Sequence, residues 1–174
     1  MQKGQAYEYT TINVGRDLFL EYVPDQIIPY RSSRYHQEVT IIVSDDSFMI
    51  YVETLSAGRI APNEVFDFDV CMLKIRIIDN RKGLVLSDSL RLEPLKNRNE
   101  IMYVFDNRVV VFTAYVMTSG QDRLITNDKM NRILGTNDKI LSGFSQTPQR
   151  RGYVVRILSD LVDDIAFVRK LLVI

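Results

Sequence analysis

Four carboxylates, Glu53, Glu64, Asp67 and Asp69, bracket one short segment of the chain. Hard and borderline divalent cations accept oxygen ligands, so such a group could handle a metal ion loosely. The structural alternative is that Glu53 pairs with Arg59 and the other acids are solvated. Gly58-Arg59 follows a strand pattern and reads as a turn glycine with a charged neighbour. The spacing predicts a tight strand-to-strand turn there, with Arg59 paired to Glu53 or Glu64 and the remaining carboxylate facing a cavity. Paired inside a turn, the arginine would hold two strands together; exposed, it would contribute little.

Other chemistries have fewer residues to work with. His36 is the one histidine and Cys71 the one cysteine, so neither an intrachain disulfide nor a zinc site built on Cys and His is available. A Ser-His-Asp device would have to use His36, which sits in the polar strand start Arg34-Tyr35-His36-Gln37-Glu38 and reads as solvated or hydrogen-bonded. Cys71 lies in an apolar strand, where a free thiol behaves as a small hydrophobe. Neither a P-loop nor a dinucleotide fingerprint is present, and Gly135-Thr136-Asn137-Asp138-Lys139 reads as a turn.

The elements that must position these residues are mostly strands. Asp17 to Val23 places Leu18, Leu20 and Tyr22 on one face at period two, and Pro24-Asp25 ends it. Gln37–Val43 and Ser47–Val52 flank Ser44-Asp45-Asp46 as a hairpin. Phe66 to Ile78 alternates, with both faces apolar near its middle, which predicts burial between two layers. Leu84–Leu86, Ser89–Glu93, Ile101–Phe105 and Arg108–Met117 are further strand candidates. Beyond them, Asp122–Leu134 reads as a short helix, and Leu141–Ser145 and Gly152–Leu158 as strands. Ser159 is a good N-cap for a terminal helix over about 159–172, with acids first and Arg169 and Lys170 last. Its stripe of Leu161, Ile165, Val168 and Leu172 widens to Phe167 and Leu171. A helix apolar nearly all round is buried in a core or an interface. An interface is the expectation, with Phe167, Leu171, Ile165 and Val168 as partner-binding anchors.

Composition sets the outer limits. The chain has 174 residues, of which 46 % are hydrophobic and 25 % charged, as in an ordinary globular domain. Lys plus Arg and Asp plus Glu both number 22. A dedicated nucleic-acid binder usually carries a basic excess, which this chain lacks. There is neither an apolar run long enough to span a bilayer nor an apolar leader, so no membrane association is expected and a cytoplasmic location is. The reading is a single domain over 1–174: mainly β, an elongated, layered β-helix-like or sandwich-like body with a short helix and a C-terminal α-helix.

Two segments carry a resemblance. Leu20-Glu21-Tyr22-Val23-Pro24-Asp25-Gln26-Ile27-Ile28-Pro29-Tyr30 resembles the "LEYLP-x-x-x-IPF" segment of the urease accessory family UreD, also called UreH. Tyr51 to Phe66 is similar to that family's "E-x-L-x-x-GR-x-A-x-GE-x-F" signature, carried here by Glu53, Leu55, Gly58, Arg59, Ala61, Glu64 and Phe66. Gly152–Leu158 resembles the stretch before the family's closing helix. Asn63 stands where the family has glycine, and asparagine is the next-best residue for positive φ. The family's N-terminal "GG-x-x-x-GD" and "TT-x-x-x-K-x-Y" motifs are not found, which implies either a fragment or a shortened start, and missing strands would leave an exposed sheet edge.

The resemblance implies an accessory role rather than catalysis: a scaffold with UreF-like and UreG-like proteins, docked on apo-urease, through which nickel passes. It implies no tightly bound cofactor, only transient nickel, with Glu53, Glu64, Asp67 and Asp69 as candidate path carboxylates and Pro24, Gly58, Arg59, Glu64 and Phe66 as motif residues. The shortage of His and Cys fits a conduit that must release its ion. Two rival readings stand beside it. A cupin-type enzyme would need more histidines. A β-sandwich interaction module without a metal role would differ in nickel binding and in what co-purifies with it.

Overall fold

The computed structural model describes residues 4–44, 46–60, 64–118, 128, 134, 140–147 and 152–161. These residues form strands β1 (Ala6–Val14), β2 (Phe19–Tyr22), β3 (Arg34–Val43), β4 (Phe48–Ser56), β5 (Gly58–Arg59), β6 (Glu64–Val65), β7 (Val70–Asp79), β8 (Gly83–Leu92), β9 (Val110–Met117), β10 (Leu141–Gln146) and β11 (Gly152–Ser159). One helix, α1 (Pro94–Val104), interrupts them.

The strands make two large sheets and a two-stranded ladder, β5-β6. One large sheet has the order β1-β3-β7-β8, the other β10-β11-β9-β4-β2. Over its first part the chain passes between the sheets from strand to strand: β1, β3 and β7 lie in one, β2 and β4 in the other. This winding makes β1, β3 and β7 parallel neighbours, and likewise β2 and β4. Parallel strands need a crossover, and here a strand of the opposite sheet supplies it. The remaining pairings, β7–β8, β4–β9, β9–β11 and β10–β11, are antiparallel. The layered β body expected from the period-two runs is therefore the observed architecture.

Period two decides what faces the gap between the sheets. Val39, Ile41 and Val43 of β3, Ile75 and Ile77 of β7, Met49 and Tyr51 of β4, and Tyr115 and Met117 of β9 form one buried cluster. Leu55, Phe66, Phe68, Cys71, Leu73, Ile101, Phe105 and Val111 form a second. A third cluster covers the far face of the second sheet, where Phe112, Val155 and Ile157 pack with Leu134 and Ile140.

Several expectations need correction. Ile101–Phe105 belongs to the end of α1 and its C-cap, not to a strand. Pro94 at the first helical turn fixes the helical φ. The spacing of Ile101 and Phe105 then buries both in the second cluster. Leu84–Leu86 and Ser89–Glu93 join into the single strand β8, which carries a register shift opposite Ile77/Ile78. The long Phe66–Ile78 run is broken. Phe66 has φ of 54°, so the chain turns and β7 begins only at Val70. On β7 the inward residues are buried, whereas Met72, Lys74 and Arg76 of the outer face are partly or fully exposed, so that strand is not closed on both faces by the described residues. Asp17, with φ of 54°, likewise delays β2 to Phe19.

Of the short helix expected over 122–134, Asp128 and Leu134 are helical and the rest lies outside the described residues, as does the 135–139 turn. Ser159 closes β11, and its Oγ accepts the Leu161 N–H at 3.1 Å. The terminal helix beyond Leu161, with Ile165, Phe167, Val168 and Leu171, lies outside the described residues, as does Asn63.

Candidate functional site

The gap between the sheets is not wholly apolar. The register sets Glu53 of β4 beside Thr113 of β9, and Thr113 beside Arg156 of β11. These three occupy inward positions of one sheet. Asp88 of β8, paired with Ile75, faces them from the other. Around them lies a cavity of about 320 Å³, at the junction of the two inter-sheet clusters. Leu55, Leu73, Val111 and Phe105 line its apolar part.

The polar groups are held in an ordered way. Asp88 Oδ2 accepts the Tyr115 hydroxyl at 2.9 Å and also the Arg156 guanidinium. This ties the two sheets together through side chains. Glu53 is 8 % exposed, and its Oε2 accepts the Tyr51 hydroxyl at 3.5 Å. Burial, reinforced by the charge of Asp88, pushes the Glu53 carboxyl up to about 7. It has no cation within ion-pair distance among the described residues. Glu53 is therefore a protonatable oxygen donor at near-neutral pH, facing a small cavity.

The other candidate carboxylates are committed elsewhere. Arg59 donates to both oxygens of Glu64, from Nε at 2.8 Å and from its terminal nitrogen at 2.6 Å. Of the two expected partners, Glu64 takes the arginine and Glu53 is left facing the cavity. Asp67 accepts Arg31 at 3.2 Å and Arg98 at 3.1 Å. These guanidinium bonds hold the Glu64 and Asp67 carboxyls below their ordinary range. Asp69 is buried just before β7. Among the described residues no three His, Cys, Asp or Glu side chains gather into a metal-holding group. The four acids are thus neighbours in sequence and not a common site.

The motif residues form a clasp. Gly58 has φ of 133°, and a Cβ there would lie 2.1 Å from the Glu64 carbonyl oxygen, so only glycine fits. The Phe66 N–H donates to the Ala57 carbonyl at 2.6 Å, and the Phe66 ring is buried against Phe105. The Arg59 guanidinium sits 4.8 Å from the centroid of the Tyr30 ring. Ile27 bridges to Leu55, and the Ile27 and Ser56 N–H groups bond across to Thr54 and Ile27. The Pro24–Tyr30 loop and the Tyr51–Phe66 segment, far apart in sequence, therefore dock on each other. Pro24 lines a second concavity of about 460 Å³, beside Glu8, Tyr35 and Gln37. There the Tyr35 hydroxyl donates to Glu8 at 2.7 Å.

Cys71 is buried, and burial pushes its thiol up to about 12. His36 lies on the outer face of its sheet, with Nε2 3.1 Å from Glu38 and its ring beside those of Tyr7 and Tyr9. Neither residue takes part in the cavity.

Sequence reading missed Asp88, Arg156, Thr113 and Tyr115. A signal for two of them was present. Asp88 interrupts the inward series Leu86, Leu90, Leu92, and Arg156 stands between Val154 and Leu158. A charge at a period-two core position marks a buried polar cluster.

The molecule is thus a β protein built on two large sheets, whose signature loops clasp one another and whose inter-sheet gap holds a mainly apolar cavity with a charged cluster at Glu53, Asp88 and Arg156. The model of the UreD urease accessory protein family matches residues 1–172, and the chain belongs to that family. It is 33 % identical to the urease accessory protein UreD of Cenarchaeum symbiosum over 95 % of this chain and 58 % of that protein. It is 28 % identical to UreH of Helicobacter hepaticus, over 79 % of this chain and 56 % of that one. The UreD of Acetivibrio thermocellus matches 99 % of this chain at 26 % identity, over 64 % of its own length. The chain thus spans somewhat under two thirds of the curated relatives it matches. Those relatives are named as accessory proteins, not as enzymes.

Proposed function

We propose that the chain serves as a non-catalytic accessory protein in urease maturation, acting with UreF-like and UreG-like partners on apo-urease in the cytoplasm. Nickel is its transient cargo and not a resident cofactor. The observation that carries this reading is the family match over nearly the whole chain. The cavity adds a physical route. Glu53 and Asp88 offer oxygen donors in the gap between the sheets, and oxygen ligands of this number hold nickel weakly enough to release it. Val104 and Leu141, both largely exposed, also line the cavity, which gives it a side away from the Asp88 end. Glu64 and Asp67 drop out of the route, because neither lines the cavity and each is held by a guanidinium away from it.

The test has two arms. Co-purification with UreF-like protein and apo-urease reads the scaffold role. Nickel transfer to urease by Glu53→Gln reads the route. Loss of transfer with retained co-purification supports the reading. Full transfer by Glu53→Gln, with partners retained, would leave an interaction module without a metal role.

A further inference from the structure

Outside the cavity, on the surface of the β8–β10–β11 region, lies a groove of about 450 Å³ lined by Leu86, Ser87, Phe144 and Val154 among others. It shares three residues with the inner cavity: Asp88, Gly143 and Arg156. The Asp88–Arg156 ion pair therefore lies where the two spaces adjoin. Its two halves differ in freedom. The Arg156 side chain is 53 % exposed, whereas that of Asp88 is 21 % exposed and is held from behind by the Tyr115 hydroxyl. Gly143 stands opposite Arg156 on the neighbouring strand, and a Cβ there would meet nothing within 4 Å. The junction is thus a half-exposed guanidinium beside an open notch at Gly143.

We infer that Arg156 is a gate: it occupies Asp88 as a tethered cation, and a divalent cation arriving from the outer groove passes inward by displacing it. This rests on the reading of the cavity as a cation route. A guanidinium on a carboxylate blocks that carboxylate to metal ions and repels them by its charge. Once Arg156 swings into solvent, Asp88 is a free oxygen ligand, kept in position by Tyr115. Glu53 lies deeper in the same cavity without a cation of its own. Passage is then an exchange of the divalent ion for the guanidinium at Asp88, and the extra positive charge is balanced when Glu53 binds as a carboxylate and releases any proton it carries to solvent. An acidic group of a docking protein, placed in the outer groove, would open the gate by taking Arg156 for itself.

Stopped-flow mixing of the full chain with nickel(II) tests the gate. The chain has nine tyrosines and no tryptophan, so Tyr115 and Tyr51 beside the cavity contribute to its emission. The inner phase is the part of the signal that Glu53→Gln removes. Arg156→Gln should speed that phase by about fivefold or more. Gly143→Val keeps the ion pair, suits an edge strand and narrows the notch, so it should slow the phase by a similar factor. Circular dichroism confirms that each variant is folded. Unchanged rates in both variants, with the inner phase present in the parent chain, overturn the gate and leave the route standing. Absence of any Glu53-dependent phase in the parent chain overturns both.

Discussion

Arg59 and Glu64 face each other across the two-residue ladder of β5 and β6, joined through both carboxylate oxygens at 2.8 and 2.6 Å. The paired geometry matches the planar fork of a guanidinium. The face of Tyr30 covers the same guanidinium. One side chain thus locks the turn that follows β4 to the loop that precedes β3. Glu64→Gln should keep the fold but lower the thermal midpoint by a few degrees, as read by circular dichroism. Arg59→Lys should lower it too, since lysine cannot bond both oxygens or stack as well on Tyr30. The pH dependence has a definite sign. The Glu64 carboxyl is held below its ordinary range by Arg59, so its contribution is present above that range and is lost as pH falls through the lowered value.

The backbone at Gly58 permits no replacement. Gly58→Ala puts a methyl group 2.1 Å from the Glu64 carbonyl oxygen at φ of 133°. It should cost at least about 2 kcal/mol in urea unfolding. Gly143→Ala is the contrast, because its Cβ meets open space. It should be neutral or stabilise by about 0.5 kcal/mol.

Glu53 should give the chain a pH-dependent stability of the opposite sign. Its carboxyl is raised from 4.5 to about 7, by burial first and by Asp88 second. Between those values the unfolded chain has lost the proton and the folded chain has kept it. Unfolding then releases a proton, so stability falls as pH rises through this window. The full loss above the window is about 3 kcal/mol. Urea titrations at pH 5 and pH 8 should show this slope in the parent chain and its absence in Glu53→Gln. An equal slope in both would remove Glu53 as its source.

Cys71 should be inert while the chain is folded. It is buried within the inter-sheet core, and its thiolate is disfavoured. A disulfide-exchange reagent should titrate it only in denaturant. Rapid labelling of the folded chain would show that the core around Leu73 and Phe105 opens locally.

The layered β body was legible because buried residues repeat at period two in β3 and β7, while β4 and β9 are continuous apolar runs buried on both faces, and two packed sheets are what such runs build. The Gly58-Arg59 turn was legible for the same local reason: a glycine and a charge end an apolar run. Phe66 and Phe68 were misread because an aromatic alternation looks the same in a turn that buries both rings as in a strand. The strand reading of Ile101–Phe105 failed because five apolar-rich residues fit either period, and Pro94, seven residues earlier, sets the helix. The cavity was half legible. Glu53 could be found beside the signature. Asp88 and Arg156 come from β8 and β11, and only sheet topology brings those strands to one space.

The most direct test of the central claim is nickel-dependent activation of apo-urease in a reconstituted mixture containing this chain, UreF-like and UreG-like proteins and nickel(II). Activity and nickel per urease site are read for the parent chain and for Glu53→Gln, with partner co-purification measured in the same preparations. Glu53→Gln should still co-purify with its partners but lower activation and nickel loading together, by about tenfold or more, the effect of about 1.4 kcal/mol on a rate. Parent-level activation and loading by Glu53→Gln would contradict that claim.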